Sequence, residues 1–429
     1  MPRAGLSVLA YPGRPRFERV VDMKRTIVSA ALVVALAACD SRTAGDKNSE
    51  MGTATAADEE GAPDYSAVAR RVVRESAAVK PGEVVVINGD ASELKLLEAL
   101  VEEVQLAGGS PLVSLNFPRA NKRALMESSP EFLRLPPKAG LAVIEAGDVF
   151  ISASAVEDPN LYSDVDETRL SVVRQANQAI TRAISQKRGR SVDIGQTGGI
   201  PTAAYAKNQN ADHAEMRNMF FKALAVPSTV IAQRGSAVSQ KMQSGQMVRL
   251  RSAGGTDVTF RLAASKPRVS TGRAADNDTG QGMANAFLPA GDFYACVDPS
   301  SANGTVVAPE GTFRGKSTKN VRLTFKAGSL VSVTADDGGE ALTRFFSQLD
   351  ADSKKMSLIN IGLNPESRPL KGSKYLSWEM DGVPTVVVGN SLWAGCQQGG
   401  QDSYSVHQAG ATLAAGNAEV VRNGTLVLE

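Results

Sequence analysis

The chain has 429 residues, with 47 Lys or Arg and 45 Asp or Glu. Residues 1–38 hold six of the basic and two of the acidic side chains, so the remainder carries 41 and 43, a net charge of about −2. Because the remainder has no basic excess, nucleic acid is not expected as a partner. About 365 residues follow a polar N-terminal stretch. That is more than one hydrophobic core usually organises, so two domains are expected.

The first 38 residues have the pattern of an export signal. We expect the true start to be Met23. After it, the basic pair Lys24 and Arg25 precedes a 12-residue apolar run (27–38), which Cys39 follows. A charged start, a short apolar core and small residues at the end are typical of a cleaved secretory signal. The run is too short for a membrane span, which needs roughly 20 residues. Cys39 resembles the acylated cysteine of bacterial lipoproteins, so we expect a lipid anchor at the cell envelope.

Residues 39–63 are predicted to be a flexible tether. They are polar, rich in small residues and nearly free of bulky apolar side chains, so they cannot bury a core. We therefore expect the folded part of the protein to begin near residue 64.

Between residues 64 and 235 the sequence alternates helical and strand patterns. Helices are predicted over 64–79, over 92–107 with Ser92 as a cap, and over 164–188 with Asp166 as a cap; strands are predicted at 84–88, 111–117 and 148–155. A further amphipathic helix around His213 places Met216, Phe220 and Leu224 inward. Strands separated by helices of this length predict a parallel α/β sheet with helical crossovers.

From 236 to 429 the pattern changes to alternating apolar and polar residues, with Gly, Asp and Asn between the runs. Such runs are "MVRLRS", "DVTFRLA", "NVRLTFKAG", "SLVSVTAD", "TVVVGN" and "GTLVLE". This pattern predicts antiparallel hairpins and a β-rich (α+β) second domain. The boundary is placed between residues 230 and 245.

The common catalytic motifs are absent from the sequence. There is no G-x-S-x-G, P-loop, H-E-x-x-H or C-x-x-C, and the only histidines are His213 and His407. Two histidines are too few for a histidine-rich metal site, which is therefore excluded. Besides Cys39, the chain has Cys296 and Cys396, which either form a disulfide or remain two unrelated thiols.

Several short segments resemble the aminopeptidase T (M29, thermophilic) family in their order along the chain. They are "VKPGEVVVI" (79–87), "GIPTAAYAK" (199–207), "GGTDVTF" (254–260), "NAFLPAGDFYA" (285–295), "GTVVAP" (304–309), "VRLTFKAGSLVSV" (321–333), "INIGLNP" (359–365), "VVVGN" (386–390) and "VHQAG" (406–410). The resemblance implies an α/β domain before a β-rich domain, a homodimer, and two metal ions that activate water against an N-terminal peptide bond.

Carried over to this sequence, the resemblance implies five metal ligands, of which two are still ligand types. The first carboxylate falls on Asp292 and the histidine near the C-terminus on His407. The other three positions hold Leu358, Thr385 and Ala409, where the family has a glutamate, a histidine and an aspartate. Two ions need more charged or imidazole ligands than this set supplies. No cofactor is therefore expected or, if there is one, a divalent metal such as zinc, cobalt or manganese.

Each remaining residue also has a plainer interpretation. Asp292 could bond its own backbone in a Pro-Ala-Gly-Asp turn, and His407 could be a lone hydrogen-bonded histidine. Trp378 and Trp393 flank the region as core or rim aromatics. A single metal held by Asp292 and His407 would need a further carboxylate, and the candidates are Glu379, Asp381 and Asp402.

The sequence therefore leaves three functions open. The first is a lipid-anchored, non-catalytic descendant that binds a peptide, small molecule or partner. The second is a live metallo-aminopeptidase with substitute ligands, and the third is a structural envelope dimer. A concave, partly polar pocket around Asp292 and His407 would favour the first over the third.

Overall fold

The structure is a computed structural model that describes residues 63–155, 161–162, 164–195, 199–277, 283–313, 316–397 and 403–429. The expected signal, Cys39 and the tether lie outside the described residues. No helix within the described ranges is long and apolar enough to cross a membrane. Residues 58–429 cluster as one compact unit.

The first sheet is parallel, as predicted, with five strands in the order β2-β1-β3-β4-β8. The strands are β1 (Val84–Asp90), β2 (Ser110–Asn116), β3 (Val149–Ala153), β4 (Gly189–Ile194) and β8 (Met283–Leu288). Apolar residues of β1, β3, β4 and β8 are buried together with helix residues in one core. β8 follows the predicted boundary near residue 235, yet it pairs with β4 in this sheet.

Ten helices precede β5 (Met247–Arg251) among the described residues, and the last of them, α10, packs in the core of the antiparallel sheets. They are α1 (Tyr65–Arg70), continued by a π-helical turn (Arg71–Ser76), α2 (Leu94–Leu106), α3 (Pro118–Glu127), α4 (Pro130–Leu133), α5 (Lys138–Ala146), α6 (Glu167–Ala176), α7 (Gln178–Gln186), α8 (Ala203–Asn208), α9 (His213–Ala225) and α10 (Ser228–Lys241). In α9, Met216, Phe220 and Leu224 are buried, as the periodicity predicts.

Two local predictions about helices are corrected. Ser92 does not cap α2, because a short 3-10 turn (Ala91–Glu93) precedes the helix and its first residue has no side-chain cap. The helix predicted over 164–188 is two helices that meet at Asn177. Its N-terminal cap is as predicted, since Asp166 accepts a hydrogen bond from the Thr168 N–H at 2.7 Å.

The second part of the chain forms two antiparallel sheets. The eight-stranded sheet has the order β12-β11-β10-β6-β5-β16-β17-β18. Its strands are β5 (Met247–Arg251), β6 (Asp257–Arg261), β10 (Asn303–Phe313), β11 (Lys316–Lys326), β12 (Ser329–Thr334), β16 (Thr412–Ala415), β17 (Ala418–Arg422) and β18 (Thr425–Leu426). Helix α11 (Gly339–Gln348) follows β12.

The five-stranded antiparallel sheet has the order β15-β14-β13-β9-β7. Its strands are β7 (Arg268–Ser270), β9 (Asp292–Cys296), β13 (Met356–Gly362), β14 (Pro384–Gly389) and β15 (Ser403–His407). One face packs Phe293, Ile359, Ile361, Val386 and Val406 into the main core shared with the eight-stranded sheet. The other face carries the predicted ligand positions.

Candidate functional site

The pairing register brings four of the five predicted ligand positions to one face of the five-stranded sheet. Leu358 pairs with Cys296, Thr385 pairs with His407, and Asp292 pairs with Gly362. Since successive side chains of a strand alternate between faces, Asp292, Leu358, Thr385 and His407 share a face, which we call the site face. Ala409 lies two residues beyond β15, in an exposed turn.

The site face has two ends, defined by successive rows of side chains across the strands. The polar end consists of Asp292, Asn360, Thr385 and His407. The apolar end consists of Leu358, Val387, Cys296 and Cys396. Asn360 was missed in the sequence, although its place on the face follows from its pairing with both Tyr294 and Thr385.

Asp292 is a buried carboxyl group with an incomplete set of partners. It is 6% exposed, and its Oδ1 has no hydrogen-bond partner in the described part of the chain. Burial, followed by repulsion from Glu379, raises its pKa well above the ordinary value, while a hydrogen bond from Asn360 opposes the rise. The turn interpretation is wrong, because Asp292 begins β9 and its side chain makes no hydrogen bond to its own backbone turn.

The neighbouring Asn360 is also incompletely satisfied. Its side-chain amide donates to the backbone carbonyl of Trp378 at 2.8 Å, but within the described ranges its Oδ1 accepts no hydrogen bond. The polar end therefore buries two oxygen acceptors that lack donors. Leaving such atoms unpaired costs free energy, so each calls for an explanation.

His407 is held by Thr385, which occupies one of the predicted ligand positions. Its Nδ1 lies 2.7 Å from the Thr385 hydroxyl oxygen, and the Trp378 ring meets its imidazole edge-on with the centroids 5.9 Å apart. Burial lowers the pKa of His407 to about 4, so the ring is neutral at pH 7. The side chain of Trp393 lies outside the described part of the structure.

Of the three carboxylates considered for a single-metal site, the two that the structure describes already have other partners. Glu379 is buried, and its two oxygens accept hydrogen bonds from the hydroxyls of Ser367, at 2.9 Å, and Ser377. Burial raises the pKa of Glu379. Asp381 is paired with Arg234, and Asp402 lies outside the described residues.

The apolar end is filled by packed side chains. Leu358 is fully buried in a cluster with Tyr294, Val387, Ala394 and Cys396, against which Trp378 and Cys296 pack. Cys296 and Cys396 form a disulfide with 5.4 Å between their Cα atoms, which ties β9 to the short 3-10 turn (Leu392–Ala394) after β14. An apolar side chain and a disulfide thus occupy the row in which the resemblance places a glutamate.

A ligand-sized cavity borders this end of the site face. It measures about 490 Å³, and its lining includes both disulfide cysteines, Arg261, Asp298 and Gln397. The volume is within the range of small-molecule sites. Neither Asp292 nor His407 belongs to its lining.

The donor set does not fit a two-metal centre. Two divalent ions need several carboxylate or imidazole ligands to offset the loss of their hydration. Among the residues that the structure describes, no three His, Cys, Asp or Glu side chains lie close enough to share one ion. The chain offers Asp292 and His407, and the hydroxyl of Thr385 already bonds the latter.

The sequence model described as thermophilic metalloprotease (M29) matches residues 63–380. The chain belongs to this family. Membership confirms the resemblance seen in the sequence, while the matched range ends before Thr385 and His407. No curated protein sequence matches the chain.

Two solved structures of other proteins share the M29 fold of this chain. Wild-type AmpT from Thermus thermophilus superposes with a TM-score of 0.63 at 14% identity, covering 85% of this chain and 98% of its own. The 2,5-dihydroxypyridine dioxygenase from Pseudomonas putida KT2440 gives 0.50 at 14% identity, covering 85% and 96%. These likenesses confirm the predicted α/β and β-rich architecture.

Proposed function

We propose that this M29 protein is a lipid-anchored cell-envelope protein that has lost the two-metal centre and binds a ligand without hydrolysing it. The observation that carries the proposal is Leu358, which is fully buried at a predicted ligand position and packs in the cluster that contains the disulfide. A bound metal ion needs electron-pair donor atoms in place of the water that it loses, and a leucine side chain has none.

The ligand would be one that donates hydrogen bonds. Among the described residues, the polar end presents two buried side-chain oxygens without a hydrogen-bond partner, Asp292 Oδ1 and Asn360 Oδ1. An amine, amide or hydroxyl group would satisfy both, as a peptide or a small polar molecule can. The cavity of about 490 Å³ is lined by the disulfide and by none of Asp292, Asn360 and His407, so it is a separate concave surface at the apolar end.

Anchoring and assembly are parts of the proposal that rest on the sequence and the family. The lipid anchor at Cys39 is supported by the preceding apolar run and small residues. The homodimer is supported by the family resemblance. The anchor would hold the folded unit at a bacterial membrane, on its periplasmic or outer side.

The alternative is an active metal-dependent aminopeptidase with replaced ligands. Family membership and the position of Asp292 and His407 on one face favour it. The two functions differ in metal content, which elemental analysis measures directly.

The test uses residues 40–429, which contain the whole compact unit. The protein is purified without chelator, equilibrated with zinc, cobalt or manganese, and assayed on leucine-derived peptides. We expect substoichiometric metal and no release of leucine. Two tightly held equivalents together with hydrolysis would overturn the proposal, and one equivalent lost in His407→Ala would indicate a single-metal site.

A restored variant serves as the matched control. Leu358→Glu, Thr385→His and Ala409→Asp together return the three missing ligand types to their predicted positions. We expect this variant to retain more metal than the unaltered chain. If it does, the lack of metal in the unaltered chain is caused by these three residues and not by the preparation.

A further inference from the structure

Exposed apolar side chains are concentrated in one part of the molecule. Nine of the fifteen large apolar side chains that are exposed in the described ranges lie between residues 94 and 135. They are Leu94, Leu106, Leu112, Val113, Leu115, Phe117, Met126, Phe132 and Leu135. A local concentration of this kind marks an interaction surface, whereas single exposed residues do not.

Four of these nine lie in residues 117–138, which we call the α3–α4 segment. Its inner side is fixed, because Leu125 is buried and Arg169 donates to the backbone carbonyls of Leu125, at 2.6 Å, and Ser128. Its outer side carries Phe132, which is 68% exposed, and Leu135, which is 62% exposed. The apolar side chains on the outer side therefore belong to a fixed segment and leave most of their surface open.

Basic residues are interleaved with these apolar side chains. The α3–α4 segment contains five Lys or Arg and two Glu, in a chain that is otherwise close to neutral after its leader. Arg119, Arg134 and Lys138 are exposed, and none of them has a carboxylate partner among the described residues. Lys122 is paired with Asp164 and Arg123 with Glu127, so Arg119, Arg134 and Lys138 against Glu131 leave a net charge of about +2 for an external anion.

This combination fits a lipid surface better than a protein partner. The centre of a protein interface is depleted in lysine and glutamate, both of which occur in this segment, although arginine is enriched there. Segments that lie in the bilayer interface instead combine Phe and Leu with Lys and Arg, which contact anionic headgroups. An acylated Cys39 would bring the folded unit to the same bilayer.

We propose that the α3–α4 segment is a membrane-contact surface that binds anionic phospholipid. Phe132 and Leu135 enter the headgroup region, and Arg134 and Lys138 contact the phosphates. The surface orients the folded unit on the membrane to which, under the proposed function, Cys39 anchors it. Its own affinity for lipid does not depend on the acyl chain.

The experiment measures vesicle binding by residues 40–429, which lack Cys39. Vesicles of phosphatidylethanolamine and phosphatidylglycerol (3:1) are compared with phosphatidylcholine vesicles by sedimentation. We expect binding to the anionic vesicles that weakens with salt. Arg134→Gln and Lys138→Gln should each weaken it about fivefold, and Phe132→Ser with Leu135→Ser about tenfold or more.

The matched control replaces apolar residues that are equally exposed elsewhere. Val331 and Leu392 are 58% and 56% exposed, so Val331→Ser with Leu392→Ser should leave vesicle binding unchanged. Equal binding to both vesicle types, or equal effects of the two double variants, would overturn the proposal. So would a dimer in sedimentation velocity that only Phe132→Ser with Leu135→Ser dissociates, since the surface would then join two copies.

The anchor is tested separately on the full-length chain. Acylation is measured by the mass of the N-terminal peptide, with Cys39→Ser as the control. A chain without acylation whose residues 40–429 still bind anionic vesicles would refute the anchor and support the surface. An acylated chain without vesicle binding would do the reverse.

Discussion

The two ends of the site face lie one row of side chains apart and have opposite effects on the stability of the fold. At the apolar end, Leu358 and the disulfide pack in a closed cluster, where burial stabilises the fold. At the polar end, Asp292 and Asn360 each bury an oxygen without a donor, which costs stability. The former ligand row has therefore become part of the packing in one place and has stayed polar in the other.

This difference separates what the fold needs from what a ligand would need. A residue that only packs should lose stability when it is truncated. A residue kept for binding can be replaced with little loss, or with a gain, because its free energy is recovered only when the ligand is present. The predictions below test that distinction, beginning with the largest effect.

Truncation at the apolar end should be strongly destabilising. Leu358→Ala removes a fully buried side chain from a cluster that cannot collapse freely around a disulfide, and we expect a loss of about 2–5 kcal/mol. Urea denaturation measures the free energy of unfolding. Leu392→Ala, at a leucine that is more than half exposed, should change it by less than about 0.5 kcal/mol. Equal effects of the two variants would mean that Leu358 is not part of a packed cluster.

At the polar end, Asp292→Asn should stabilise the protein at pH 7. The folded-state pKa of Asp292 is raised, so its carboxyl keeps its proton where the unfolded chain has lost it. The stability it contributes is full below the unfolded pKa, near 3.8, and is lost as the pH rises through the folded pKa. We expect a gain of about 1–3 kcal/mol at pH 7, the typical cost of an unsatisfied buried group.

The gain should vanish below the unfolded pKa of Asp292, where the native carboxyl is protonated in both states. Asp298→Asn is the control with the opposite sign. Hydrogen bonds from the backbone and hydroxyl of Ser300 lower the pKa of Asp298, so its contribution is present at pH 7 and is lost as the pH falls. A loss of stability in Asp292→Asn at pH 7 would show that the carboxylate is structural.

The general fold and the ligand positions could be predicted because their signals are local. Apolar runs between helices indicate parallel strands, and motif order alone places Asp292, Leu358, Thr385 and His407. That these four share a face then follows from the alternation of side chains once the strands pair.

The surroundings of the site could not be predicted, since they depend on long-range contacts. Glu379 and Trp378 belong to an irregular segment with no periodicity, and this segment reaches the site through the bond from Asn364 N–H to the Glu379 carbonyl at 2.9 Å. The disulfide joins residues 100 positions apart. Likewise, β8 pairs with β4 in the first sheet, although it follows the change of pattern at residues 230–245 that predicts a new domain.

The smallest effect is expected at the bond between Thr385 and His407. Thr385→Val keeps the shape of the side chain but leaves the imidazole Nδ1 without its partner at 2.7 Å, so about 1 kcal/mol should be lost. Thr259→Val is the control, because the hydroxyl of this half-buried residue makes only a 3.4 Å bond, to the Asn303 carbonyl. Equal losses in the two variants would show that the bond to His407 contributes nothing specific.

The same ring reports whether the polar end is open to water. Burial lowers the pKa of His407 from 6.5 to about 4, so the unfolded chain takes up the proton first as the pH falls. Stability from the neutral ring is therefore present above about pH 6.5 and is lost toward pH 4. NMR can follow it directly, since the chain has only two histidines. Titration near 6.5 would mean that water reaches the ring, and the acceptors on Asp292 and Asn360 would then be hydrated and need no ligand to satisfy them.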